Sequence, residues 1–416
     1  MSLGNLVFSF LAFVMIIYLI RHYVFTAITL IYGRDSRTCL NGGEGFEPFV
    51  SIIVPAHNEE KVIGRLLKRI CEFSYPREKL EVVVVDDGST DKTGKIVEAF
   101  AKENSFIKPL HRSSACGKAA ALNEALKYVS GELVYFFDAD YIPDVDFIEC
   151  ANRAFSDLKV GAVQSRISVL NFEKKVSKVV SLERIGGYRV DQLARDILGL
   201  IPQFGGTAGG VRRSLLEALG DFNESVLAED TDLTFRIYRS GYKIRYLLDV
   251  GSYEEAVEGW LEYWRQRSRW AKGHMQCFFK HFLPLIMSEN LTFRERLDGL
   301  LLLSIYFVPV LVGLGWIFGG LCLFFGYGLG AGNAALILTL IYFVSGNIAP
   351  LSEIIVGAIL EKRLRLCKYL PFLFLAFILN VFICTKAIIE ILFWRLRGKS
   401  RLKWDKTVHK GMLSIG

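Results

Sequence analysis

Short apolar runs alternate with amphipathic helical stretches through the middle of the chain. The apolar runs have the length and composition of buried strands and occupy residues 49–54, 80–85, 133–137 and 160–164. The helical stretches between them cover roughly residues 58–73, 90–103, 117–129 and 144–156. Alternation of this kind predicts an α/β domain with a mostly parallel central sheet and helices on both faces.

Longer apolar stretches flank this block on both sides. The N-terminal stretch starts at residue 6 and runs to Tyr32, and three more lie at about residues 298–327, 335–360 and 370–394. Each is long enough for the ~20 residues that cross a bilayer. A cleaved signal peptide is the alternative for the first stretch, but Met1–Asn5 has no positive charge and no clear cleavage site follows. We therefore expect a retained anchor and about three C-terminal spans.

The pattern divides the 416 residues into five predicted segments. They are an N-terminal transmembrane anchor, a catalytic α/β domain, a segment of interfacial amphipathic helices, a C-terminal transmembrane region and a basic tail. In the same order, their boundaries are residues 1–33, 48–255, 256–296, 297–394 and 395–416.

The distribution of charge indicates a membrane partner and does not indicate a nucleic-acid-binding surface. Much of the excess behind the net charge of +7 lies in two basic clusters, at Lys362–Lys368 and Arg395–Lys410, beside apolar stretches. Such clusters mark the cytoplasmic side of a membrane and attract anionic lipid headgroups. Four spans would place the two clusters on opposite sides. Either one stretch is re-entrant or split, or the tail lies outside, and the sequence leaves both possibilities open.

Acidic residues follow the predicted strands, where α/β sheets bind their ligands. Asp86 and Asp87 end the second strand and can accept hydrogen bonds from a nucleobase or ribose. The alternative is a simple turn in which Ser89 or Asp91 caps the next helix. Asp138 and Asp140 follow a later strand at a spacing that directs both carboxylates toward one cation. Oxygen ligands of this kind suit Mg²⁺ or Mn²⁺.

A third acidic pair, Glu229 and Asp230, precedes a predicted helix. Stabilisation of the helix dipole is one explanation. The other is that Asp230 is a general base, with Glu229 supporting it or the acceptor. Lys118 opens a helix and is a candidate phosphate or nucleotide ligand, or else an exposed basic residue. The glycine-rich run 204–210, which contains Gly206 and Thr207, is predicted as a loop close to a bulky substrate.

A basic and aromatic cluster lies on a helical stretch at residues 257–283. The stretch as a whole reads as an interfacial amphipathic helix with aromatic residues at headgroup depth. Within it, Gln266, Arg267 and Arg269 are candidates for diphosphate or acceptor binding, and Trp270 can stack on a sugar ring. No Gly-x-Gly-x-x-Gly follows the first strand and no Walker A motif is present, so dinucleotide and P-loop sites are excluded.

Taken together, the motifs resemble those of the processive, inverting family 2 membrane glycosyltransferases, such as cellulose, chitin and hyaluronan synthases. The matching segments are VPAHNEE (54–60), VDDGSTD (85–91), GKAAALN (117–123), DAD (138–140), FGGTAGGVRR (204–213), LAEDTDL (227–233) and RQRSRWAKG (265–273). They cover the α/β block and the interfacial helix. One departure is Ala228, where the family usually has Thr.

The resemblance implies a GT-A fold, a nucleotide-sugar donor that is expected to be a UDP-sugar, and a divalent metal, Mg²⁺ or Mn²⁺. It also implies roles for individual residues. The nucleotide-sugar ligands would be Pro55, Glu59, Asp86, Asp87, Lys118 and Asp138, and the metal ligands Asp138 and Asp140. Asp230 would be the base beside Glu229. The acceptor and diphosphate residues would be Gly206, Thr207, Gln266, Arg267, Arg269 and Trp270.

Three functional hypotheses follow. The main one is elongation of a β-linked polysaccharide at the cytoplasmic membrane face, with possible secretion through the spans. The alternative is addition of one sugar to a lipid or lipid-linked acceptor, which the small membrane region favours. The third is a catalytically inactive binding subunit, which would lack at least one of the motif carboxylates, and none is missing.

Overall fold

The computed structural model describes residues 3–33, 46–324, 348–396 and 411. Part of the predicted span at 335–360 and most of the predicted basic tail at 395–416 lie outside these ranges.

Eight strands form one sheet in the described part of the chain. They are β1 (Val50–Ala56), β2 (Leu80–Asp87), β3 (Ile107–Arg112), β4 (Leu133–Phe136), β5 (Ile142–Pro143), β6 (Val160–Val169), β7 (Gly209–Arg212) and β8 (Lys243–Glu254). Their order in the sheet is β3-β2-β1-β4-β7-β6-β8-β5. The pairs β1·β2, β1·β4, β2·β3 and β6·β8 are parallel, and the other three are antiparallel. The sheet is therefore mixed, with four parallel and three antiparallel pairs. The four predicted strands correspond to β1, β2, β4 and β6, and β3 was not predicted.

The α-helices follow the strands and the apolar stretches. The N-terminal helix is α1 (Leu3–Tyr32). In the domain the helices are α2 (Ile63–Cys71), α3 (Thr93–Glu103), α4 (Lys118–Leu126), α5 (Phe147–Ala154), α6 (Lys175–Arg184), α7 (Leu193–Ile197), α8 (Arg213–Leu219) and α9 (Glu229–Arg239). Toward the C-terminus they are α10 (Trp260–Ile286), α11 (Phe293–Ser304), α12 (Val308–Phe324), α13 (Ile348–Leu360) and α14 (Leu370–Leu396). A π-helical turn, Ile185–Gln192, connects α6 to α7.

Both faces of the sheet are buried, because successive side chains of each strand point to opposite sides. Ile52 and Val82 pack into one core with α2 and α5, while Ile53 and Val83 pack into the other with α4 and α9. Burial on both faces explains why β1 and β2 read as continuous apolar runs rather than as alternating ones. The prediction of an α/β domain with helices on both faces is confirmed.

The glycine-rich run was predicted entirely as a loop, and this is wrong for Gly209 and Gly210. Both lie in β7, between β4 and β6. A Cβ on Gly210 would lie 2.5 Å from the ring of Tyr135, and one on Gly209 would lie 2.5 Å from the carbonyl oxygen of Val163. Glycine is thus needed here for close packing inside the sheet.

Three helices in the described residues are long and apolar enough to cross a membrane. They are Ser9–Tyr32, Phe293–Phe318 and Leu364–Phe393, and Ile348–Leu360 is a shorter apolar helix. These helices coincide with the predicted anchor and with two of the predicted C-terminal spans. α14 and α10 contribute to one apolar cluster, so the C-terminal helices pack directly on the domain.

Candidate active site

A cavity of about 460 Å³ lies at the carboxyl ends of β1, β2 and β4. The predicted nucleotide and metal residues that line it are Pro55, Glu59, Asp87, Lys118, Asp138 and Asp140. The predicted acceptor-side residues that line it are Thr207, Glu229, Asp230, Gln266, Arg269 and Trp270. The tertiary structure therefore brings together side chains that are up to 215 positions apart in the chain, from Pro55 to Trp270.

Three predicted residues, Asp86, Gly206 and Arg267, are not part of the cavity wall. The Asp86 carboxylate accepts a hydrogen bond from the Ser89 amide at 3.0 Å and lies 3.1 Å from His111 Nδ1, so it closes the turn after β2. Arg267 is buried and pairs with Glu183. This arrangement does not place Asp86 or Arg267 in contact with a ligand in the cavity.

Asp87 fixes the loop that leads into α4. Its carboxylate accepts hydrogen bonds from the backbone amides of Cys116 and Gly117, and Arg112 Nη1 lies 3.1 Å from its Oδ1. Gly117 has a φ of +96°, which favours glycine. The consequence is that Lys118, the first residue of α4, is held at the cavity wall.

Lys118 contacts two acidic residues from different elements. Its Nζ lies 2.6 Å from Asp138 Oδ1 and 3.9 Å from Glu229 Oε1. Burial favours the neutral amine, but the neighbouring carboxylates raise the pKa of Lys118 above its usual value. The Asp138 amide donates to Thr207 Oγ1 at 2.9 Å, which ties the β4 end to the loop before β7.

Glu229 is an acidic residue of the site whose pKa is raised. Burial raises the pKa of its carboxyl to about 7, Asp230 and Asp138 add to the shift, and Lys118 opposes it. A carboxyl group with a pKa near 7 changes its charge within the physiological range. Glu229 is therefore a group that can exchange a proton at neutral pH.

Asp230 lies in the first turn of α9, directly against Gly206. Its Oδ1 accepts a hydrogen bond from the Thr231 amide at 2.6 Å, and a Cβ on Gly206 would lie 3.0 Å from its Cβ. Gly206 also has a φ of +70°. Gly206 thus leaves room for the Asp230 side chain and contributes no group of its own.

α10 carries the predicted diphosphate and acceptor residues, and Trp270 is held in place by two arginines. The guanidinium of Arg267 lies 4.1 Å from the centre of the Trp270 ring, and that of Arg184 lies 5.2 Å away. Arg184 in turn binds both carboxylate oxygens of Glu254, at 2.6 and 2.8 Å. Stacking of Trp270 on a sugar remains a prediction.

Sequence reasoning missed several residues that line the cavity. His274 lies four positions after Trp270 on the same face of α10, and this spacing is the signal that would have found it. Burial lowers the pKa of His274 to about 4, so the ring is neutral at pH 7. Tyr188, Gln192 and Arg195 also line the cavity, and no motif marked them.

Part of the cavity wall is apolar and comes from a candidate membrane helix. Leu302, Ile305 and Tyr306 line the cavity and lie within Phe293–Phe318. The rings of His274 and Tyr306 are 4.6 Å apart. The cavity thus connects acidic groups of the α/β domain with a helix of membrane character.

The predicted ligands of a divalent metal, Asp138 and Asp140, both line the cavity. Within the described residues no group of three or more His, Cys, Asp and Glu side chains is arranged to hold a metal. Mg²⁺ is commonly bound by one or two carboxylates together with substrate phosphates. The pair therefore fits a metal that arrives with a diphosphate, and it does not fit a permanent all-protein site.

Residues 51–220 match the sequence model of the family described as Glycosyl transferase family 2. A probable glycosyltransferase, YdaM, of Bacillus subtilis (strain 168) is 36% identical over 238 residues, which are 56% of this chain and 57% of YdaM. The β-monoglucosyldiacylglycerol synthase of Nostoc sp. is 36% identical over 269 residues, 64% of this chain and 57% of the synthase. The match thus spans little more than half of these curated relatives.

Among solved structures, the chain resembles the mannosyltransferase PcManGT from Pyrobaculum calidifontis, determined in complex with GDP-Man and Mn²⁺. The TM-score is 0.58 and the sequence identity is 26%, over 85% of this chain and 99% of that one. The mixed sheet with helices on both faces is therefore GT-A-like, and the predicted fold class is confirmed.

Proposed function

We propose that this chain, whose residues 51–220 match the glycosyltransferase family 2 model, is a membrane-associated glycosyltransferase that adds a sugar to a lipid. The donor is a nucleoside diphosphate sugar, and the acceptor is the hydroxyl group of a lipid that enters the cavity from the bilayer. This was the alternative hypothesis from the sequence, and it replaces polysaccharide elongation as the favoured function.

The observation that carries this proposal is the mixed character of the cavity wall. Asp230 and the apolar side chains of Leu302 and Ile305 line the same cavity, and the latter two belong to a helix suited to a membrane. A lipid whose tails remain in the bilayer can therefore bring its headgroup to Asp230. A soluble acceptor has no need for such a wall.

The relatives support a lipid acceptor. One is named a β-monoglucosyldiacylglycerol synthase, which indicates glucose attached to diacylglycerol. The solved relative is a mannosyltransferase complex with GDP-Man and Mn²⁺, which supports a nucleotide-sugar donor and a divalent metal for this chain. Neither name identifies a polymer-forming enzyme.

In the proposed reaction the acceptor oxygen attacks the anomeric carbon of the donor. The bond from that carbon to the diphosphate oxygen breaks, the new glycosidic bond forms with inversion, and Asp230 takes the hydroxyl proton. The nucleoside diphosphate leaves. Lys118 binds its phosphate oxygens. Asp138 and Asp140 would hold a divalent metal, which would supply positive charge to neutralise the negative charge on the diphosphate. His274, which is neutral, borders the acceptor hydroxyl without adding charge.

The proposed function also implies how the chain is oriented at the membrane. The helix at 3–32 and the C-terminal helices attach the domain to the membrane, and the domain at 48–255 faces the cytoplasm, where nucleotide sugars are made. In this proposal residues 256–296 lie at the membrane interface, and residues 297–394 form the C-terminal membrane region.

The test is an in vitro transfer assay with purified protein in vesicles of phosphatidylcholine and diacylglycerol. UDP-Glc, UDP-GlcNAc and GDP-Man are supplied in turn as radiolabelled donors, with Mn²⁺ or Mg²⁺. We expect label in the organic phase, in a glycolipid carrying a single sugar. Label in a long, water-soluble polymer would instead support the polysaccharide hypothesis, and the variant Asp230→Asn serves as the inactive control.

A further inference from the structure

Arg195 is a buried arginine among the residues that line the cavity. Only 1% of the residue is exposed, and it lines the same cavity as Asp230. Its Nε donates to Asp191 Oδ1 at 2.6 Å, and its Nη1 donates to Asp298 Oδ2 at 2.6 Å and to the Ile201 carbonyl at 3.1 Å. Its Nη2 has no hydrogen-bond partner within the described residues. An unpaired buried donor is costly, which suits a site that a ligand completes.

The groups that hold Arg195 connect the cavity to two candidate membrane helices. Asp298 belongs to α11, which forms the start of the span that supplies Leu302 to the cavity wall. Asp191 also lines the cavity and pairs with Arg21 of the N-terminal helix α1. Arg195 therefore lies where the α/β domain meets both helices, on the side from which a lipid would enter.

The charges of this cluster are already balanced. Arg21 and Arg195 carry two positive charges, and Asp191 and Asp298 carry two negative ones. An anionic ligand would add an uncompensated charge next to Asp191 in a poorly hydrated place, which is unfavourable. An uncharged oxygen, such as an ester carbonyl, would accept the free N–H without disturbing the balance.

We propose that Arg195 binds the acceptor, through a hydrogen bond from Nη2 to an uncharged oxygen of a neutral glycerolipid. The cluster thereby selects diacylglycerol-type acceptors over lipid phosphates. Arg21 is a positioning residue, because it holds Asp191 and so fixes the orientation of the Arg195 guanidinium. This inference rests on the proposed function, and it names the acceptor class for it.

The experiment measures acceptor and donor kinetics separately for the wild-type protein and Arg195→Lys. Lysine keeps the positive charge but has no nitrogen equivalent to Nη2. Vesicles of phosphatidylcholine contain either dioleoylglycerol or undecaprenyl phosphate as the acceptor. We expect Arg195→Lys to raise the KM for dioleoylglycerol about tenfold. The KM for the nucleotide sugar and its slow hydrolysis without acceptor should change less than about twofold, because both depend on the other end of the cavity.

The matched control is Arg189→Lys. Arg189 lies in the π-helical turn, is also buried, and donates to the Gly33 carbonyl at 3.0 Å, but it does not line the cavity. This variant should leave the KM of both substrates unchanged. The acceptor preference of the wild-type protein is a second measurement that needs no variant. Dioleoylglycerol should be used at least about tenfold more efficiently than undecaprenyl phosphate.

The outcomes distinguish this inference from the proposed function. If the wild-type protein forms no glycolipid with any donor, both are wrong. If it forms glycolipid but Arg195→Lys leaves the acceptor KM unchanged, only the role of Arg195 is wrong. A wild-type preference for undecaprenyl phosphate would overturn the assignment of a neutral acceptor. An equal rise in the KM of donor and acceptor would indicate a structural role for Arg195.

Discussion

Lys118 Nζ lies 2.6 Å from Asp138 Oδ1, so the candidate phosphate ligand and a candidate metal ligand are paired in the structure. The two residues come from different elements, the start of α4 and the end of β4. Binding of a metal–diphosphate would separate them, because Asp138 would face the cation and Lys118 the phosphate. The pair thus keeps both charges compensated before the donor binds.

Replacement of Lys118 should therefore have opposite effects on two ligands. In Lys118→Gln we expect donor affinity to fall about ten- to a hundredfold, because a charged hydrogen bond to phosphate is lost. Affinity for Mn²⁺ without donor should rise, because the competing ammonium is gone. Isothermal titration calorimetry measures both. Lys127→Gln, an exposed lysine just after α4, is the control and should change neither affinity.

Asp230→Asn should lower kcat about 10²–10⁴-fold, because the amide cannot take the acceptor proton. Binding of the nucleotide sugar should be preserved, since Asp230 lies on the acceptor side. Single-turnover transfer and donor binding are measured on the same preparation. A kcat within about threefold of the wild-type value would assign the base to another residue.

Gly206→Ala tests the packing of Asp230, the proposed base. The positive φ of Gly206 costs an alanine about 1–2 kcal/mol, and the new methyl group would also press on Asp230. We expect kcat to fall at least about tenfold, because small displacements of a reacting group are costly. Gly220→Ala is matched to it, since Gly220 has a φ of +80° and an added Cβ meets nothing within 4 Å. That variant should lose similar stability, measured by thermal unfolding, and retain kcat.

The raised pKa of Glu229 predicts a pH dependence of donor binding. Below its pKa of about 7 the carboxyl is neutral, and above it a negative charge appears beside Asp138 and Asp230. Affinity for the anionic nucleotide sugar should therefore decrease as the pH rises from 6 to 8. Glu229→Gln should remove this dependence and keep the low-pH affinity. The ligand for this measurement is the intact nucleotide sugar. Both of its phosphates are esterified, so its own charge does not change between pH 6 and 8.

Metal removal tests the Asp138–Asp140 pair. We expect EDTA to abolish transfer and Mn²⁺ to restore it in the wild-type protein, because the diphosphate leaves poorly without charge neutralisation. Asp138→Asn should need a higher Mn²⁺ concentration for half-maximal rate, as it removes one anionic ligand. Full activity of the wild-type protein in EDTA would contradict the assignment of a metal site.

Much of the fold was predictable because it depends on local patterns. The valine run of β2 and the helical periodicity after Asp87 indicated a strand and a helix directly. β7 was not predictable, because glycine normally disfavours a strand. Its need for Gly210 comes from the Tyr135 ring, a contact between residues 75 positions apart.

In the candidate site, too, some features could be predicted from local sequence and others depend on tertiary contacts. Asp138, Glu229 and Asp230 were identified from their positions after a strand or before a helix. Asp86 shares its motif with Asp87, and Arg267 shares its motif with Arg269 and Trp270. The structure nevertheless turns Asp86 toward His111 and Arg267 toward Glu183, outside the cavity wall. A motif fixes which residue types are near a site, but it does not fix the direction in which each side chain points.

The sequence by itself determined the α/β core, the apolar helices and the residue types that suit sugar transfer, because these follow from hydrophobic periodicity and from the chemistry of short motifs. Only the tertiary structure decided that Arg195 and His274 join the acidic residues, and that Leu302 of a membrane-type helix closes the same cavity. The physical reason is that a cavity is made by contacts between distant segments. The apolar part of the cavity wall, on which the proposal of a lipid acceptor rests, has no local signature in the chain.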